Sequence, residues 1–391
     1  MQYEETHIQY PPVHPGTDRT FIRFYSGAPD LNAVFYAADD TPPPMRLFVT
    51  DDTVATLPAL RHFTALFHDK DGGKELRAGF VGERGRDVLV VLESGERAKT
   101  IERVLAIIAA ALDYDAQRST VFVGIGGGVV TDMTAFAASI FKRGAPCELV
   151  PTTLLSMVDA AVGGKTGCDF ASYKNMIGSF FPAQKIHVFP AFVQSLPQDQ
   201  YRSGLAEAVK TALLYDAPLV AQLEATPELL TNRTLPLVEE LIRRCVHAKA
   251  AVVEQDLTEK NIRMHLNLGH TFAHALESRA GLGTVSHGDA VAWGIARAAA
   301  LSARLGLCHR DYEAHVKRLL AAFGWETGAV HSALAAIFAD KADAAHALYA
   351  AMKKDKKNAT RRVRFVLQRD VADTVITEAD ERDVLATLQQ D

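Results

Sequence analysis

From residue 45 onward, short apolar runs alternate with longer amphipathic ones. Residues 47–50, 88–92 and 121–123 are β-branched or aromatic, too short for helices, and apolar on both sides, which is the pattern of strands buried on both faces. Residues 101–112 repeat their apolar positions at helical spacing between the second and third runs. Strand and helix in alternation predict a parallel sheet covered by helices. Gly126, Gly127 and Gly128 close the third run, and residues 132–140 are predicted as a small-residue helix. A further short strand, 148–150, leads into Pro151, Thr152 and Thr153. After residue 196 the pattern becomes Ala, Leu, Glu and Arg at helical spacing. Helices are predicted at 202–215, 235–254, 270–279, 288–305 and 311–323, and 363–367 is the one β-branched cluster of this half. Ahead of this alternation, Pro11, Pro12, Pro15 and Pro42 to Pro44 surround two candidate strands, 21–25 and 33–36, which read as an edge hairpin or a dimer contact. The expected division is therefore an N-terminal extension over 1–44, an α/β domain with a parallel sheet over 45–196, and an all-α domain over 197–391.

Composition changes this picture little. A chain of 391 residues with 48% hydrophobic and 23% charged positions is that of a folded globular protein with a large interior. The net charge of −5 and a pI near 6.3 give no general attraction to nucleic acid or to an anionic membrane, so any anion site must be local. Cys147, Cys168, Cys245 and Cys308 are scattered without a C-x-x-C pair, which predicts neither a disulfide framework nor a thiolate metal site. The acidic start, Met1 to Glu5, lacks an apolar run behind it, and Arg297 and Arg304 interrupt the longest apolar stretch. A cytoplasmic protein with a small-molecule partner is expected.

The candidate chemistry falls at the ends of predicted elements. In a parallel sheet ligands sit at the carboxyl ends of the strands. Asp51, the turn 93–96 and the glycine triplet all fall there. Glycine-rich N–H groups ahead of a helix meet phosphates, and the hydroxyls of Thr152 and Thr153 add donors. Farther on, Glu207 lies among apolar residues of a predicted helix, His270 and His274 are four apart and so share a helical face, and His287 opens the next helix. A single histidine is more often a hydrogen-bonded core residue, but two histidines and a carboxylate form a catalytic zinc set with an open position. Lys165, Lys210, Lys249, Arg263 and Lys356 bring cations into apolar surroundings; one such lysine alone would read as a snorkelling surface residue. Glu96 and Lys99 alone would read as a solvated helix start.

The order of these pieces is more specific than any one of them. Gly126 to Asp132, Arg143-Gly144, Pro151 to Leu155, Asp159, the run Gly163-Gly164-Lys165-Thr166-Gly167, and Lys174-Asn175 follow one another in one stretch. In this order the chain resembles the dehydroquinate synthases and their relatives, the sugar phosphate cyclases, from about Asp51 to the C-terminus. The resemblance implies an NAD site made by Asp51, Glu96, Lys99, Gly127, Gly128, Asp132, Thr152 and Thr153, with Lys165 and Lys174 beside it. It implies a divalent metal, zinc or cobalt, on Glu207, His270 and His287. It places Lys165, Asn175, His274 and Lys356 around a sugar phosphate, joined by Arg143 from the partner subunit of a homodimer. Asp159, Lys210, Lys249, Arg263 and Asn267 then line the hydroxyl and carboxylate side, with Glu259 as an orienting group. The implied reaction cyclises a carboxylated heptulosonate 7-phosphate to 3-dehydroquinate with loss of phosphate, NAD being reduced and reoxidised within one turnover. Arg263 and Lys249 are expected to meet the substrate carboxylate. The alternative is a cyclase that makes a cyclitol ketone from sedoheptulose 7-phosphate or a hexose phosphate; a metal-dependent polyol dehydrogenase fits less well, having no use for so many phosphate-binding cations. Thr131 and Ala135, where the family has glycine, and Tyr173 depart from the pattern.

Overall fold

A computed structural model describes residues 1–10, 18–36, 44–171, 173–233, 236–281, 283–355 and 362–390. Of Pro11, Pro12, Pro15 and Pro42 to Pro44, only Pro44 lies within them. The chain divides into two compact units: Met1–Pro197 with Leu235–Thr258, and Gln198–Thr234 with Glu259–Asp391.

The first unit is built on an eight-stranded sheet. Its strands in chain order are β1 (Tyr3–Gln9), β2 (Arg19–Tyr25), β3 (Arg46–Asp51), β4 (Val81–Arg84), β5 (Asp87–Leu92), β6 (Val121–Gly126) and β7 (Cys147–Pro151). After a separate hairpin of β8 (Lys165–Phe170) and β9 (Tyr173–Phe180), the sheet takes its last strand, β10 (Lys185–Val188). The spatial order is β1-β2-β10-β7-β6-β3-β5-β4, parallel except at the two edge pairs, β1 with β2 and β4 with β5. Every residue of β5, β6 and β7 is buried, as expected of mainly apolar strands covered on both faces, with Asp87 and Glu148 as the charged residues among them. The chain passes from β3 to β5 on one side, then returns to place β6 on the other side of β3. That reversal is a topological switch point, where open α/β sheets hold their ligands.

Three expectations are corrected here. Residues 33–36 are not a strand: Leu31–Phe35 is a short helix whose first turn is capped by Asp30, with Ala33 N donating to its carboxylate at 3.1 Å. The segment expected as edge strands does lie at the sheet edge, but its hairpin pairs Tyr3–Gln9 with Arg19–Tyr25, and β2 joins it to the main sheet in parallel with β10. The helix Leu237–Gln255, assigned from sequence to the helical half, belongs to the sheet unit. Gln9 N donates to Glu254 at 3.0 Å, Glu4 pairs with Arg243, and Arg243 lies over the Phe24 ring, so the hairpin and this helix hold each other.

The second unit is helical. Gln198–Tyr215 and His287–Arg304 are its long central helices, joined by Ala217–Ala225, His270–Ala280, Arg310–Ala322, Lys341–Asp355 and Glu381–Gln389. A hairpin of β11 (Val363–Asp370) and β12 (Asp373–Ala379) docks on them, Gln368 Nε2 donating to the Leu213 carbonyl at 2.8 Å. Gly288 permits the closest approach: a Cβ there would stand 2.3 Å from Ser203 Cα, and Gly288 N instead donates to Ser203 Oγ at 3.0 Å. Among the described residues no helix is long and apolar enough to cross a membrane.

Candidate active site

The switch point of the first unit gathers the residues expected at the nucleotide. Asp51 ends β3 and caps the next short helix, its Oδ1 accepting from Val54 N at 2.8 Å; burial pushes its carboxyl up while that hydrogen bond opposes the push. Gly127 is the N-cap of the helix Gly128–Ile140, which starts within the glycine triplet, four residues earlier than its apolar pattern indicated. The reason is close packing: a Cβ on Gly126 would meet Val130 Cβ at 2.6 Å, and one on Gly127 would meet Thr153 Cγ2 at 3.1 Å. Thirteen residues of helix with a free amino end thus face the crevice. Thr131 leaves this turn intact, because its hydroxyl bonds back to the carbonyls of Gly127 and Gly128 at 3.2 and 3.1 Å. Ala135 is buried within the same helix and Tyr173 is exposed on β9.

Lys99 organises the crevice. Its buried ammonium donates to Asp132 Oδ2 at 2.7 Å and to Asn175 Oδ1 at 2.6 Å. Burial disfavours the charge, yet Asp132 and Glu96 hold the ammonium above its ordinary value; burial in turn raises Asp132 against the pull of Lys99. Asn175, expected at the substrate phosphate, therefore sits with Lys99, in a left-handed conformation whose N–H donates to Asp169 at 2.8 Å. Thr152 is buried, and Thr153 exchanges hydrogen bonds with Ser156. Glu96, Lys165, Lys174 and Arg143 are exposed. Asp159, on the single π-turn Ser156–Ala160, receives Lys249 Nζ at 2.6 Å on both its carboxylate and its carbonyl. Lys249, expected to meet a substrate carboxylate with no anionic partner of its own, is paired here with Asp159.

The second unit brings together Glu207, Lys210, His270 and His287 from three helices. Glu207 Oε1 lies 3.2 Å from His287 Nε2 and 3.6 Å from His270 Nε2, while its Oε2 lies 2.5 Å from Lys210 Nζ. Gln198–Tyr215 delivers Glu207 and Lys210 three apart, on one buried face. His270 starts its helix after Gly269, a left-handed residue with φ of 78°, and His270 Nδ1 is 3.2 Å from the Leu268 carbonyl. A carbonyl only accepts, so that nitrogen carries the proton and Nε2 turns to Glu207. His287 is the first residue of a helix capped by Ser286, whose Oγ accepts from Asp289 N at 3.1 Å. Its Nδ1 faces Glu277 Oε1 at 3.4 Å. Burial opposes the charge on Glu207, but Lys210, His287 and His270 hold it well below the usual carboxylate range. Burial and Lys210 together depress His270 to about 3, whereas Glu207 and Glu277, against burial, push His287 up to about 10.

One carboxylate oxygen and two imidazole nitrogens within 4.8 Å of one another fit a divalent metal of the zinc type. His274 lies near this group, its ring centroid 5.5 Å from that of His270, and is exposed. Arg263 is fully buried, and Asn267 Nδ2 donates to Glu259 Oε1 at 2.8 Å. Lys356 lies outside the described residues. Glu277 was passed over in the sequence, although its place seven residues after His270 puts it on the same helical face.

These features define a class: an α/β unit whose switch point is shaped for a nucleotide, in one chain with a helical unit that carries a two-histidine, one-carboxylate donor group. Comparison with known proteins narrows it. The family models for the 3-dehydroquinate synthase N-terminal and C-terminal regions match residues 89–203 and 204–358. A 3-dehydroquinate synthase from Shewanella halifaxensis is 42% identical over 234 residues, 60% of this chain and 65% of that protein, just under two thirds of its length. One from Desulforamulus reducens is 37% identical over 282 residues, 72% of this chain and 74% of the relative. Among solved structures, 2-epi-5-epi-valiolone synthase from Streptomyces hygroscopicus subsp. jinggangensis, with NAD+ and Zn2+ bound, superposes with a TM-score of 0.74 at 28% identity, covering 88% of this chain and 90% of that one. The chain belongs to the 3-dehydroquinate synthase family.

Proposed function

We propose that this protein is a 3-dehydroquinate synthase, cyclising 3-deoxy-arabino-heptulosonate 7-phosphate to 3-dehydroquinate with elimination of phosphate. The observation that carries the reading is the convergence of Glu207, His270 and His287 beside the buried Lys210, in a chain of this family. NAD occupies the switch point, with Asp51 accepting from a ribose and the amino end of Gly128–Ile140 at the pyrophosphate; it supplies a reversible hydride acceptor. A zinc or cobalt ion on Glu207, His270 and His287 supplies Lewis-acid polarisation of substrate oxygens.

The chain's own residues bind and orient. Lys210 neutralises the carboxylate oxygen of Glu207 that does not face the imidazoles, which keeps Glu207 ionised in a buried place. Lys99 opposes the rise that burial imposes on the Asp132 carboxyl and fixes Asn175, so that both acceptors of the nucleotide crevice are oriented before ligand arrives. Arg263 presents a guanidinium inside a buried environment, suited to the substrate carboxylate by its parallel donors. Lys165 and His274, both exposed, and Lys356 serve the phosphate, and Arg143 reaches it from the partner subunit of a homodimer. Glu259 holds the Asn267 amide in place.

A cyclase acting on a substrate without the carboxylate is the second reading, favoured by the likeness to the valiolone synthase. Phosphate release from the two substrates separates them. The carboxylated heptulosonate phosphate should be turned over and sedoheptulose 7-phosphate rejected by on the order of 10⁴, as expected where polar groups of a site are left unpaired by the wrong substrate. Arg263→Ala should slow the favoured reaction about 10²-fold or more, as for loss of a charge-assisted contact. Equal or faster phosphate release from sedoheptulose 7-phosphate would overturn the dehydroquinate reading.

A further inference from the structure

His287 stands between two carboxylates. Its Nε2 faces Glu207 Oε1 at 3.2 Å, and its Nδ1 faces Glu277 Oε1 at 3.4 Å. Glu277 is buried on His270–Ala280, the helix that also carries His270 and His274, at positions i, i+4 and i+7 of one face. The two histidines are held alike. His270 has the Leu268 carbonyl at its Nδ1, and His287 has a carboxylate at the same ring atom, so each ring turns Nε2 toward Glu207. A buried carboxylate is costly unless it meets donors, and one donor facing it here belongs to a candidate metal ligand. We propose that Glu277 is a positioning residue of the metal site: it accepts the Nδ1–H of His287, fixing the tautomer and ring plane that leave Nε2 free for the metal.

This inference rests on the metal reading given above. When His287 gives up a proton at Nε2 to ligate, only Nδ1–H remains, and an acceptor at that position selects the ligating tautomer over its alternative. An anionic acceptor also makes the imidazole a stronger donor to the ion; losing such outer partners costs metal affinity 10- to 100-fold in general.

The test is metal binding by the metal-stripped full chain, read by Co2+ absorption and by competition with a chelator for Zn2+, with thermal unfolding alongside. Glu277→Ala is expected to bind both ions about 10- to 100-fold more weakly and to shift the Co2+ bands. Glu277→Gln, which retains an oxygen acceptor without the charge, is expected to lose about tenfold, at the lower end of that range. If Glu277→Ala does not fold, Glu277→Gln decides alone. Affinity within about twofold of the unmodified protein, with unchanged Co2+ bands, would assign Glu277 a purely structural role and overturn the proposal, whatever the change in Tm. Absence of metal uptake by the unmodified protein would overturn the metal reading and this one together, whereas uptake in the unmodified protein with no effect of Glu277 removes only the latter.

Discussion

Several buried charges of this protein stand in ion pairs, and some of these pairs shape the candidate site. Lys99 and Asp132 form one such pair, at 2.7 Å with little exposure of either side chain. Lys99→Met would leave Asp132 with its main cation gone, and should cost about 3–5 kcal/mol of unfolding free energy. Adding Asp132→Asn should return most of that loss in urea unfolding while NAD binding stays weak, which separates the stabilising role from the binding role. A second buried group has no place in the reaction. Glu148 on β7 takes Lys185 Nζ and His187 Nε2, each at 2.9 Å, and the other ring nitrogen of His187 meets Tyr25 Oη at 2.9 Å. Burial works against its charge, but His187 and Lys185 bring the carboxyl down from 4.5 to about 2. A depressed carboxyl stabilises the fold fully above its unfolded value and loses that contribution as the pH falls toward the folded one. Glu148→Gln should therefore cost about 2–3 kcal/mol near neutral pH, with more than half of the difference gone near pH 3. A difference that does not change with pH would show that packing, not charge, is what the carboxylate supplies.

The elements were legible where one physical signal dominates. β3, β5 and β6 are apolar on both faces, and the long helices repeat every three to four residues, so the α/β and helical halves follow from pattern alone. The pattern misled where a cap or a tertiary partner decides: Asp30 turns an apolar, aromatic run into a helix, and the helix Leu237–Gln255 is amphipathic in either unit, so its sequence does not state its partner. The hairpin of β8 and β9 was hidden because its residues alternate weakly and are largely exposed. The site was legible through the spacing of His270, His274 and His287; Glu277 was not, because one carboxylate on a helix says nothing until the ring opposite is placed. His287 is placed by its element as well as by its own contacts. Its helix can approach Gln198–Tyr215 only because residue 288 has no side chain. Gly288→Ala, forced against Ser203 backbone, should lower stability by about 3 kcal/mol and reduce bound metal together. Loss of stability with full metal content would disconnect the helix contact from the donor group.

At the scale of the whole molecule, the role proposed for Arg143 requires a second chain. Lys142, Arg143 and Gly144 run with φ of 46°, 65° and 114°, a backbone that two non-glycine residues adopt only at some cost. The turn is tied down from both sides: Lys142 Nζ donates to the Ala116 carbonyl at 2.7 Å and Arg118 Nε to the Gly144 carbonyl at 3.3 Å. Holding a strained turn rigid makes sense if its side chain must be presented, yet the exposed Arg143 guanidinium has no hydrogen-bond or ion-pair partner among the described residues. The reading that Arg143 completes the phosphate pocket of a partner subunit gives the strain a purpose, and it makes the active species a two-fold dimer in which each interface serves two sites. Arg143→Ala and Lys165→Ala chains should each be nearly inactive alone. After subunit exchange, a mixed dimer regains one intact site, with Lys165 from one chain and Arg143 from the other, so statistical mixing should restore about a quarter of full activity. Exchange demonstrated by differently tagged chains, with no recovery of phosphate release, would confine Arg143 to its own subunit.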